Sequence, residues 1–103
     1  MAGMMEPGEI VILYLHSPKE RIWGQLKSLN EIGLVIKGLD LNSFEDWCRQ
    51  IARNESGIGL STVMYPTYRI EKVIVDEEVG GMQSLRDRFK VLAGMSLDSY
   101  LAE

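Results

Sequence analysis

His16 is the only histidine in the chain and Cys48 the only cysteine, so proton-shuttling or thiol chemistry would have to be built around these two positions. An imidazole acts as general acid or base when a carboxylate orients it, and Glu20 is the nearest carboxylate in sequence. Nothing local fixes that pairing. Ser17-Pro18 follows directly and reads as a turn, so His16 is expected at a surface strand end. Cys48 shares an apolar helical stripe with Phe44, Trp47 and Ile51. A reactive thiol needs an electropositive, partly exposed setting, and Arg49 points about 100° away around the helix. A buried, inert thiol is expected.

The acids Asp40, Glu45 and Asp46 and the run Asp76-Glu77-Glu78 carry oxygens suited to a hard cation. No ligand loop with alternating donors arranges them. Glu45 and Asp46 stand in the first turn of a helix, where negative charge is favourable for local reasons. Gly57-Ile58-Gly59 lacks the Lys-Ser/Thr that completes a phosphate loop. With no nucleophile, base and oxyanion donors that assemble into a site, the chain reads as non-enzymatic, without metal or cofactor.

The aromatic residues Tyr14, Trp23, Trp47, Tyr65 and Tyr68 are the remaining recognition chemistry. Trp47 belongs to the helical stripe and reads as core. Trp23 shares a strand face with Gln25 and Lys27, so it either looks outward into an interface or packs beneath the following helix.

The chain has 103 residues, 46% of them apolar and 25% charged, which fits one soluble globular domain over residues 1–103. Its net charge of −4 is spread evenly over both halves, which weighs against nucleic-acid or anionic-membrane binding through a basic tail. A single cysteine forms no internal disulfide, so a reducing cytoplasm is the expected compartment. The apolar run Ile10–Leu15 is far too short to cross a bilayer.

Hydrophobic periodicity and turn residues predict the elements. Residues 1–8 form a frayed lead-in ending at Pro7-Gly8. A strand over residues 9–16 is apolar at nearly every position and is therefore covered on both faces. Strands over 21–30 and 34–41 flank the turn Asn30-Glu31-Ile32-Gly33. Gly24 and Gly38 mark a bulge or a close backbone approach. A helix near 43–53 is capped by Asn42 or Ser43, with Ser43 and Asp46 forming an approximate capping box. A strand over 60–65 is stopped by Pro66, which argues for an edge or corner. A strand over 68–76 follows, then a break at residues 76–81. Ser84 caps a second helix near 84–93, with Leu85, Phe89 and Leu92 on one stripe and Gly94 as its stop. The predicted architecture is a small, strongly bent antiparallel sheet of about five strands, mainly β with α. Residues 9–76 make a barrel-like core with an inserted helix, and 82–103 make a helical segment. An ordinary α+β sheet with two packed helices is the alternative.

Gly24-Gln25-Leu26, Gly38-Leu39-Asp40 and the strand Tyr68-Arg-Ile-Glu-Lys-Val73 resemble the SH3-like and Sm-like small barrels over roughly residues 9–76. The resemblance implies barrel geometry. Arg69 is followed by Ile70 rather than Gly, and no helix is expected before the first strand, so the RNA contacts of that family are not carried over. The string Leu39-Asp-Leu-Asn-Ser-Phe-Glu-Asp-Trp47 also looks like that of small uncharacterised bacterial proteins, which implies no activity.

The expectation for function is a module that binds a protein partner or a second copy of itself. Docking would use a sheet edge, Trp23 or the C-terminal helix, with Trp23, Gln25, Lys27, Arg69 and Phe89 as candidate interface residues. Nucleic-acid binding through Arg21, Lys27, Lys37, Arg69 and Lys72 is the alternative, and an enzyme of unknown type a further one.

Overall fold

The computed structural model describes residues 5–102, so the lead-in expected over residues 1–8 lies partly outside them. Strands β1 (Ile10–Leu15), β2 (Glu20–Leu29), β3 (Gly33–Asp40), β4 (Ser61–Pro66) and β5 (Ile70–Val75) form one antiparallel sheet. Their order is β4-β3-β2-β1-β5, an open sheet whose last strand returns beside the first. Helices α1 (Phe44–Ala52), α2 (Leu85–Ala93) and α3 (Leu97–Leu101) complete a mixed α/β fold.

Alternation along the strands sends side chains into two separate cores. Val11, Leu13 and Leu15 of β1 join Ile22, Leu26, Leu34 and Ile36 in an aliphatic cluster. Among the described residues, and apart from Met5, what packs against that cluster comes from the sheet itself: Tyr65 of β4 and Ile70 and Val73 of β5. A sheet buries one face without a second layer only by curling around it. The opposite face presents Ile10, Trp23 and Leu39 to Phe44, Trp47 and Cys48 of α1, Phe89 and Ala93 of α2, and Leu97 of α3. β1 is therefore covered on both faces, as its near-continuous apolar run predicts.

Gly24 and Gly38 are Cα partners across β2 and β3. A Cβ on Gly24 would stand 2.3 Å from the Lys37 carbonyl oxygen, and one on Gly38 would stand 2.2 Å from that of Trp23. Close approach is thus the reason for both glycines. The bulges lie elsewhere, where Lys27 is skipped in the β2–β3 register and where the β1–β5 register shifts after Tyr14.

Local chemistry closes the turns. The Asn30 side-chain oxygen accepts from the backbone N–H groups of Ile32 (2.8 Å) and Gly33 (3.2 Å), the Asx geometry a short polar turn favours. Ser84 Oγ accepts from Asp87 N at 3.0 Å, and Gly94 ends α2 in the left-handed region at φ 79°. The cap expected at Ser43 does not form. A 3-10 turn at Leu41–Ser43 runs straight into α1, so Ser43 already has helical backbone angles, and Asp40 instead accepts from Asn42 N at 2.8 Å.

Candidate functional site

Of the five candidate interface residues, the structure places Trp23 and Phe89 inside the domain. Trp23 is 1% exposed and Phe89 is wholly buried, which removes both from any docking surface. Alternation does put Trp23 on the face of Gln25, but α1 covers that face. The Trp23 ring meets Phe44 edge-on at 4.9 Å and Trp47 at 5.6 Å. Phe89 closes the same aromatic stack, 4.9 Å from Trp47. The apolar stripe of α2 is thus spent on the fold. Val91 is the large apolar side chain that α2 leaves exposed.

Gln25 is half-buried and donates to the Gly8 carbonyl, while Lys27 is exposed at the β2 bulge. Arg69 serves as a clasp. Its Nε donates to the His16 carbonyl at 3.0 Å, and its guanidinium reaches the Pro18 carbonyl at 3.2 Å and Glu20 at 3.4 Å. It pins the β1–β2 turn, which holds a cis Ser17-Pro18 bond, against the link between β4 and β5. His16 is exposed, with Nδ1 3.2 Å from Ser17 Oγ. The basic residues do not gather on one surface. Arg21 and Lys72 line one cleft, Lys37 lines another with Leu60 and Tyr100, and Lys27 and Arg69 stand apart as described.

Asp76 is the residue that sequence reasoning passed over. It reads there as part of a solvated acidic break, yet its carboxylate holds three donors. Leu85 N and Arg86 N each approach at 2.8 Å and the Trp23 indole N–H at 3.1 Å. It therefore joins the sheet-face tryptophan to the start of α2, satisfying donors that a helix N-terminus leaves free. An Asp76→Ala chain should lose about 2–4 kcal/mol, since two helix donors and a buried indole lose a charged acceptor together. Chemical denaturation read by tryptophan fluorescence measures this directly.

Glu45 links the two longer helices, accepting from Arg88 Nε at 2.9 Å and from Arg49 at 3.2 Å. The hydrogen bond from Arg88 leads in lowering the pKa of Glu45 below the usual glutamate value of 4.5. A folded-state pKa below the unfolded one stabilises the fold above the unfolded value, and that contribution is lost as pH falls through the lowered folded value. The Glu45→Gln variant should accordingly show a shallower acid limb than wild type in stability measured against pH. Cys48 is fully buried on α1, and desolvation raises its thiol to about 11, the inert state expected.

What the fold leaves open is the pair of sheet edges. Among the described residues β4 pairs only with β3 and β5 only with β1. β4 has the sequence Ser-Thr-Val-Met-Tyr-Pro and carries no charge, and its Val63 and Met64 are exposed. On β5, Ile74 is exposed beside Val73 and Val75, and Glu71 and Lys72 are the charges. At one end of β4, Tyr68 is 77% and Ile32 74% exposed, fastened together where Thr67 N donates to the Ile32 carbonyl at 2.9 Å. Between β3, β4 and the loop at 57–59 a cleft of about 550 Å³ opens toward Ile22, Ile36 and Tyr65. Burial, and next the neighbouring Glu20, raise the Tyr65 hydroxyl above its ordinary pKa. Among the described residues no helix is long and apolar enough to cross a membrane. The chain has no match among protein-family models, curated proteins or solved structures.

Proposed function

We propose that this protein is a non-enzymatic self-association module in which β4 of one copy pairs with β5 of the next. The observation that carries the reading is the uncharged, apolar and unpaired β4 edge. An exposed edge strand offers a row of free N–H and C=O groups to another strand, and monomeric proteins blunt such edges with lysines, bulges or covering segments. Among the described residues β4 has no lysine, no bulge and no covering strand; Pro66 at its end is the one blunting residue.

A second copy suits this edge for two reasons. β4 and β5 are both 6 residues long, so one matches the other without overhang. Pairing β4 with β5 also satisfies both open edges of every copy, whereas β4 with β4 would leave each β5 edge exposed. Such head-to-tail contacts close into a ring when the rotation between copies allows it. The self-buried aliphatic face and the close backbone approach at Gly24 and Gly38 favour reading the sheet as a partly open SH3-like or Sm-like barrel.

Hydrogen exchange tests the proposal at peptide resolution. Amides of residues 61–66 and 70–75 should gain protection as protein concentration rises, while the α2 segment stays constant. Equal exchange in both edges at every concentration would refute self-pairing, and protection appearing only with an added partner protein would transfer the edge to a heterologous complex.

A further inference from the structure

The chain leaves β5 through an acidic stretch and doubles back on a two-residue hairpin. Val79 N donates to the Met82 carbonyl at 3.1 Å and Met82 N to that of Val79 at 2.9 Å. Gly80 and Gly81 make the turn at φ 58° and 84°, the left-handed pair that a tight hairpin requires. Residues directly opposed in such a pair send their side chains to one face. The tip therefore sets Val79 and Met82 side by side, 66% and 75% exposed, with Glu77 and Glu78 exposed just before them.

A matching surface lies at the opposite edge of the sheet. Lys37 of β3, Gly59 and Leu60 before β4, and Tyr100 and Leu101 of α3 line a cleft of about 350 Å³. Leu60, Tyr100 and Leu101 give it an apolar floor, half-buried against the helix-side core. Lys37 is its single charge among the described residues. Neither Lys37 nor Glu77 nor Glu78 has a hydrogen bond or ion pair among those residues. The tip thus offers two apolar side chains and two free carboxylates, and the cleft offers an apolar floor and one free cation. Three strands separate β4 from β5 within one copy, and no residue of the hairpin lines the cleft, so the match is one between copies.

We infer that the hairpin at residues 79–82 of one copy docks into this cleft on the next, with its acidic approach meeting Lys37. The inference rests on the proposed pairing of β4 with β5 and fixes the sense of that pairing as antiparallel. Six residues on six then set Ser61 opposite the next copy's Val75. Leu60 immediately precedes Ser61, and the hairpin begins four residues past Val75, no more than about 14 Å of chain. It therefore falls beside the cleft. Both features also lie on the helix side. Lys37 shares its strand face with Leu39 of the helix-side core, and the hairpin leads into the Ser84 cap of α2. Burying Val79 and Met82 supplies affinity, and the contact of carboxylate with lysine supplies register.

The test is the association constant of full-length variants in sedimentation velocity. Val79→Ser/Met82→Ser should weaken association at least about tenfold, while Val91→Ser, an equally exposed apolar truncation on α2, leaves it unchanged. Lys37→Glu should weaken it about fivefold, and adding Glu77→Lys/Glu78→Lys to the same chain should recover most of that loss. All these positions lie outside the buried cores, so the variants remain folded, as their far-UV circular dichroism would verify. Wild-type association in Val79→Ser/Met82→Ser, with loss in Val63→Lys/Met64→Lys, would overturn hairpin docking and leave edge pairing standing. Failure of the reversed charges to recover association would also overturn it. A wild-type chain that stays single at every concentration would overturn both.

Discussion

A Trp47→Ala chain should lose about 3–5 kcal/mol of folding stability, against a total of about 5–15 kcal/mol for a domain of this kind. Trp47 is wholly buried, and its ring is where the sheet and the helices meet. It stacks 5.6 Å from Trp23, 6.0 Å from Phe44, 4.9 Å from Phe89 and 5.4 Å from Tyr100. Truncation removes the contact common to all four rings and leaves a cavity bounded by α1, α2 and the sheet face. Leu97 and Tyr100 pack into the same cluster, so α3 loosens with the others.

Trp47→Phe separates volume from polarity. The indole N–H of Trp47 is buried without an acceptor among the described residues, and its ring stands nearly perpendicular to Tyr100 at 88°. An aromatic face is at best a weak acceptor. Phenylalanine gives up some packing but also removes an unsatisfied donor, worth about 1–3 kcal/mol by itself. The Phe variant should therefore lie much closer to wild type than to Ala in urea denaturation. Equal losses for the two would show that ring packing is not what holds the helix layer.

The second large effect concerns assembly rather than folding. Val63→Lys/Met64→Lys places two positive charges on adjacent residues of the β4 edge, one toward each face of the sheet. Both positions are already exposed, so monomer stability should change by no more than about 0.5 kcal/mol per site. Burying those charges against another strand is costly, and lysine on an edge is a natural device against strand addition. Association should weaken about a hundredfold or more in sedimentation velocity. Val91→Lys, on the exposed side of α2, should leave it unchanged.

Features that depend on a few neighbouring residues were legible in the sequence. The Asn30–Gly33 turn, the Ser84 cap, the Gly94 stop and the paired glycines each act locally. Pro66 marked β4 as an edge because proline cannot donate to a central ladder. Phe89 was misplaced as an interface residue, and Trp23 was left between an interface and packing beneath the helix, for a shared reason. An apolar residue on a half-polar strand face, or on a single helical stripe, has the same pattern whether it meets its own domain or a partner. Only the packing of α1 and α2 on that face decides. Asp76 was obscured by distance, because its donors lie 53, 9 and 10 residues away. Ser43 was misassigned because the 3-10 turn before α1 moves the capping role back to Asp40.

Light scattering coupled to size exclusion, across a range of concentrations, tests edge pairing most directly. The expected result is a mass that is a multiple of the 11.7 kDa chain, falling to 11.7 kDa in the Val63→Lys/Met64→Lys variant. A mass of 11.7 kDa for the wild-type chain at every concentration would contradict it.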